Sequence, residues 1–74
     1  MIPNYSRIVL VTDKYESDGA RNGMIGYVVE TYDDGCYEVE FSDSTTGETL
    51  ALLSVAEADI RLSPEPGTPS DGGG

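Results

Sequence analysis

Carboxylates dominate the side chains capable of chemistry in this chain. Fourteen Asp and Glu stand against four Lys and Arg, with one cysteine, no histidine and a formal net charge of −10 over 74 residues. The missing imidazole removes the commonest general base and the commonest transition-metal ligand. The single thiol, Cys36, follows Gly35 and has no Lys, Arg or His beside it in sequence. Acidic surroundings raise a thiol pKa rather than lower it, so Cys36 fits a half-buried strand position and not a nucleophile. Carboxylate pairs are plentiful, but a glycosidase-type pair needs one acid in an apolar pocket, and nothing in the sequence places one there. No catalytic residue and no cofactor are expected.

The carboxylates do group. Asp33, Asp34 and Glu38 converge near one hairpin end, and Asp43 and Glu48 near another. A hard cation takes several oxygen ligands in a set order, and the Asp-x-Asp-x-Asp-Gly calcium loop is missing, so no metal site is expected. Turn formation alone accounts for Asp33 and Asp34. The other use of such a surface is attraction of a basic partner. Glu38 and Glu40 alternate with Val39, which sends both carboxylates to the outer face of one strand. With Glu30, Asp33 and Asp34 they make the candidate partner-binding set. The same charge repels phosphate backbones and anionic lipid, so nucleic acid is disfavoured as a partner.

These residues are positioned by one hairpin, Asn22 to Asp43. Two β-branched and aromatic runs, Met24–Tyr32 and Cys36–Phe41, flank the turn cluster Asp33-Asp34-Gly35. A three-residue loop ending in a left-handed Gly35 puts Tyr27, Val29 and Thr31 on the face of Tyr37, Val39 and Phe41 and sets Glu30 opposite Glu38 outside. A two-residue Asp34-Gly35 loop would instead put Glu30 on the core face, which is the costlier arrangement. Tyr27, Tyr37 and Phe41 are then core, while the places of Tyr5, Tyr15 and Tyr32 are not set by the alternation.

Around the hairpin, Arg7–Thr12 reads as the first strand and the charged, glycine-containing stretch Asp13–Gly23 as a long, nearly self-neutralised surface loop. Gly26 marks a bulge, bend or close approach at the start of the second strand. Thr49–Val55 is the fourth strand. Ser54 or Val55 to Asp59 forms a helical or 3₁₀ turn, with Ser54 and Glu57 at capping-box spacing, and Ile60–Leu62 closes the sheet as a fifth strand. The predicted fold is all-β: a small five-stranded SH3-like barrel over residues 1–62 with one short helical or 3₁₀ turn before the last strand. Residues 63–74, rich in Pro and Gly, read as a disordered tail. About 60 folded residues bury only roughly 60% of their unfolded surface, which leaves little room for a deep cavity.

The progression Gly23-x-x-Gly26-x-Val28-Val29-Glu30, Asp34-Gly35-x-Tyr37-Glu38-Val39-Glu40-Phe41-x-Asp43, Gly47-x-Thr49-x-Ala51-Leu52 and the Val55–Leu62 segment resembles a family of short uncharacterised bacterial proteins. That family is classed as a domain of unknown function and is similar to SH3-like barrels. The likeness spans Ser6 to Leu62 and implies architecture, not a reaction. More distantly, Gly23-x-x-Gly26-x-Val28 resembles the glycine-bend strand of KOW-type barrels, which implies an inward Val28 and leaves a bulge near Gly26 or Val28 open beside the register above.

One cysteine excludes an internal disulfide framework, and no stretch approaches the roughly 20 apolar residues of a membrane span. A soluble, cytoplasmic protein without membrane contact is expected. The function expected first is a non-enzymatic acidic protein-interaction module, of inhibitor or immunity type, that covers a basic surface. Alternatives are an accessory or docking subunit of an enzyme complex and a KOW-like nucleic-acid-associated module.

Overall fold

The structure, a computed structural model, describes residues 2–43 and 45–63. Five strands, β1 (Arg7–Leu10), β2 (Ile25–Thr31), β3 (Cys36–Ser42), β4 (Thr49–Ala56) and β5 (Ile60–Leu62), form one antiparallel sheet in the order β4-β3-β2-β1-β5. This is the predicted all-β architecture, and the order is compatible with an SH3-like barrel. The two ends of the sheet are β4 and β5, which are not paired to each other.

Alternation along the strands builds the core. Ile8 and Leu10 of β1, Tyr37, Val39 and Phe41 of β3, Val55 of β4 and Ile60 of β5 are buried, and the residues between them on β1 and β3 are only half-buried. The hairpin turn is the expected three-residue loop. The Tyr32 N–H donates to the Cys36 carbonyl at 2.9 Å, Thr31 faces Tyr37, Glu30 faces Glu38, and Gly35 takes a φ of 86°.

Further along β2 the expected register fails. The pairing shifts between Val28 and Glu30, so that Val28 opposes Val39, Tyr27 opposes Glu40 and Gly26 opposes Phe41. Val29 is the extra residue of a β-bulge, which reverses the faces on its far side. Val28, not Tyr27 or Val29, is the core residue; Tyr27 and Val29 are half-buried, and Thr31 lies exposed beyond the core. The physical reason is space. Val39 and Phe41 close over Gly26 so tightly that even a Cβ there would lie 2.7 Å from Val39 Cγ1 and 2.9 Å from Phe41 Cδ1, and a tyrosine ring at this level has no room.

A 3₁₀ turn at Glu57–Asp59 precedes β5, as expected, but the capping box does not form. Because β4 runs on to Ala56, Ser54 lies within a strand, and the Glu57 carboxylate accepts from the Tyr37 hydroxyl at 3.0 Å. β1 ends at Leu10, short of Thr12, where the partner segment passes from β5 into the 3₁₀ turn; the Val11 N–H still donates to the Asp59 carbonyl at 2.9 Å. The Asp13–Gly23 loop contains a second 3₁₀ turn, Glu16–Asp18, and buries Ala20 completely. The expected tail lies outside the described residues from position 64 on. Ser63 still donates its N–H to the Arg7 carbonyl at 2.9 Å.

Candidate functional site

The outer face of β3 carries the candidate site. With Tyr37, Val39 and Phe41 turned inward, Glu38 and Glu40 must point outward, and both are half-buried there. Cross-strand pairing surrounds them: Glu38 lies between Glu30 of β2 and Ser54 of β4, and Glu40 between Tyr27 and Leu52. Glu30 and Glu38 thus stand directly opposite each other. At about 5.5 Å in water such a pair repels by about 0.8 kcal/mol before salt reduces it, a tolerable cost for a surface.

Neighbouring hydroxyls hold two of these carboxylates. The Tyr32 hydroxyl donates to Glu38 Oε1 at 3.1 Å, and the Thr49 hydroxyl donates to Glu40 Oε2. The bond to Glu38 pushes the Tyr32 phenol above its usual range, with partial desolvation and the charges of Glu38, Glu30 and Asp34 adding to the effect. Tyr32 therefore remains a neutral donor on an otherwise anionic face.

Not every predicted member joins this group. Glu30, Glu38 and Glu40 share the sheet face, whereas Asp33 and Asp34 sit at the exposed hairpin tip, past Tyr32. Asp34 is committed to its own turn, its Oδ1 accepting the Cys36 N–H at 3.1 Å. Asp43 does the same in the next turn, accepting from the N–H groups of Thr45 at 2.7 Å and Thr46 at 3.1 Å. Among the described residues no group of three or more His, Cys, Asp or Glu is placed to hold a metal ion.

The sequence reading missed the apolar part of this face. Tyr27, expected in the core, lies outside beside Glu40, and Leu50 and Leu52 of β4 are 46% and 56% exposed. Arg7 stands opposite Tyr27 on β1, so the acidic field is bordered by a cation. A shallow hollow of about 310 Å³, lined by Arg7, Ile25, Tyr27, Ser42, Asp43 and Gly47, continues the face toward the Asp43–Glu48 turn. The bulge was the signal that would have exposed Tyr27, and it was legible only as one of two open registers.

Cys36 is half-buried at the start of β3. Desolvation, followed by the Asp34 charge and its hydrogen bond, pushes the thiol above its ordinary pKa. A thiol so shifted holds little thiolate at neutral pH. Cys36 is expected to react with a disulfide reagent at neutral pH more slowly than free cysteine. A faster reaction, measured by release of the reagent's chromophore, would contradict the inert reading.

The face offers carboxylate acceptors beside apolar and phenolic surface, an arrangement suited to taking positive charge and hydrogen-bond donors from outside. Fold and face together define a small all-β domain with an acidic sheet surface. The chain belongs to the DUF4926 family: the family model, described as a domain of unknown function, matches residues 5–62. No curated protein and no solved structure matches the chain at a significant level. Among the described residues no helix is long and apolar enough to cross a membrane.

Proposed function

We propose that this domain is a non-enzymatic interaction module, an SH3-like barrel of bacterial type, whose acidic sheet face covers a basic surface on a protein partner. It would act as an inhibitor or immunity-type protein does, by occupying that surface. The observation carrying the reading is the placement of Glu30, Glu38 and Glu40 side by side on one face of a chain with a net charge of −10. Self-repulsion within the group costs stability and would be relieved by a partner's cations. Charged groups arranged in this way act chiefly on association rate and salt dependence. The proposal places the protein in the cytoplasm, where the lone Cys36 stays reduced.

The test is a charge-neutralising pair, Glu38→Gln with Glu40→Gln. Glutamine keeps the acceptor oxygen for Tyr32 and Thr49, so stability is expected to stay within about 1 kcal/mol of wild type. The partner is first captured from lysate of the source organism at low salt and identified. Its affinity is then measured against this variant and against Glu16→Gln with Asp18→Asn, which removes the same charge from the exposed loop. Weaker binding by the sheet-face variant alone supports the reading. Equal affinity of all three proteins at low salt would reduce the face to a solvated surface.

A further inference from the structure

The free edge of β4 differs from the other edge of the sheet. β5 is three residues long and carries Arg61, the kind of short, charged edge that discourages pairing with another chain. β4 is eight residues long, Thr-Leu-Ala-Leu-Leu-Ser-Val-Ala, with no charge and no proline. Its backbone direction can be fixed from two sides. Tyr32 pairs with the Cys36 carbonyl, so Cys36 directs its backbone groups toward β2, and alternation along β3 sends those of Glu38 and Glu40 the same way. Their β4 partners Ala56, Ser54 and Leu52 must then direct their own groups away from the sheet. In agreement, the Ala56 N–H reaches the Tyr15 hydroxyl at 3.4 Å instead of β3. The N–H and C=O of Leu52 and Ser54 therefore project from the edge, beside a Leu52 side chain that is 56% exposed.

We propose that this edge accepts an added β-strand from the partner, an extended segment alternating basic and aliphatic residues. The proposal rests on the acidic-face reading and specifies how the partner engages it. The occupant follows from charge. An added strand lies about 10 Å from β3, two strand spacings away. On the outer face, a lysine opposite the small Ser54 can reach across it to Glu38, and the next lysine on that face, opposite Leu52, can lay its aliphatic stem on the leucine. On the other face Ala51 and Leu53 pack against the core, with Gly19 of the long loop beside Ala51, and their half-buried side chains leave part of their aliphatic surface open. Glu48 and Glu57, both exposed, flank the strand at its two ends. A second copy fits badly. Antiparallel pairing that joins the outward groups of Leu52 in each copy to those of Ser54 in the other sets Glu57 opposite Thr49, one position from the other copy's Glu48, between chains that each carry −10. A basic strand meets the same ends with opposite charge and satisfies the edge through main-chain bonds, the usual economy of strand addition.

The probe is an eight-residue peptide, the length of β4, that alternates lysine with valine. It is compared with the glutamate-for-lysine peptide and with a version N-methylated on the residues whose N–H groups would face the edge. Expected are saturable binding of the lysine peptide, slowed hydrogen exchange at the Leu52 and Ser54 amides, and a loss of at least ~10-fold in affinity on N-methylation. The variant Leu52→Lys, changed at an exposed side chain, should keep its melting temperature and lose a similar factor. Equal binding of the methylated peptide would overturn strand addition. If that binding still falls with Glu38→Gln and Glu40→Gln, the acidic face stands without it; if it does not, both readings fail. Protection of the Leu52 and Ser54 amides in the free protein together with a dimer mass in solution would also overturn the proposal, by showing the edge taken by a second copy.

Discussion

Gly26→Ala is expected to lower the stability of the domain by about 2–3 kcal/mol, the range of an overpacked core, and to leave so small a protein largely unfolded under mild denaturing conditions. The added Cβ would lie 2.7 Å from Val39 Cγ1, 2.9 Å from Phe41 Cδ1 and 3.0 Å from the Glu40 carbonyl oxygen. Val39 and the Phe41 ring are both held in fully buried sites, and the carbonyl is part of the adjacent strand. Relief would require β2 and β3 to separate where the bulge sets the pairing of Tyr27 with Glu40. The same substitution at Gly23 is the control. Nothing lies within 4 Å of a Cβ there, but φ is +95°, so Gly23→Ala should cost about 1 kcal/mol through backbone strain alone. Urea unfolding of both variants measures the difference. If Gly26→Ala costs no more than Gly23→Ala, the close approach of β2 and β3 is looser than described and the bulge does not depend on it.

Local chemistry made the turn legible and left the far half of the same strand ambiguous. Asp33-Asp34-Gly35 carries its own instructions, and so the opposition of Glu30 to Glu38 could be read before any contact was known. Val28 and Val29, in contrast, are identical side chains on opposite faces, and either suits a core. What selects Val28 is the bulge, and what requires the bulge is the meeting of Gly26 with Val39 and Phe41, contacts between strands that hydrophobic alternation within one strand does not contain. The glycine-bend resemblance implied the inward Val28, whereas alternation counted back from the turn implied Tyr27. The acidic half of the candidate site was therefore visible from Glu38-Val39-Glu40, and its apolar half was not. The Asp13–Gly23 loop shows the same limit. Its charges looked balanced within the loop, yet Lys14 and Tyr15 bind Asp59, more than forty residues further along the chain.

Asp59 is where the domain should be most sensitive to acid. Its side chain is about 10% exposed and makes the only ion pair given by Lys14 among the described residues. Oδ2 accepts the Tyr15 hydroxyl at 2.7 Å and Lys14 Nζ at 3.1 Å, and Oδ1 lies 3.3 Å from Nζ. Its backbone carbonyl takes the Val11 N–H, so one residue ties together the end of β1, the long loop and the 3₁₀ turn. The Tyr15 hydrogen bond holds the carboxyl below its ordinary pKa; burial opposes this, and Lys14 adds to the lowering through hydrogen bond and charge. A carboxyl depressed in the folded state contributes stability that is fully present above the unfolded pKa of about 3.9 and is lost as pH falls through the folded value. Tyr15 moves the other way, raised by burial first and by the bond to Asp59 second. Its contribution is present below the unfolded phenol pKa of about 10 and is lost as pH rises through the folded value. Asp59→Asn keeps the shape and one acceptor but removes the charge, and is expected to cost about 1–2 kcal/mol at neutral pH. The gap to wild type should shrink on acidification, because protonation of Asp59 brings the wild type toward the variant. Urea midpoints at neutral pH and near pH 3 test this, and a gap of equal size at both would mean that the charge contributes nothing and the cluster is held by shape. Because the Tyr15 hydroxyl also receives the Ala56 N–H at the end of β4, loosening this anchor should further raise hydrogen exchange along the very edge proposed to receive the partner strand.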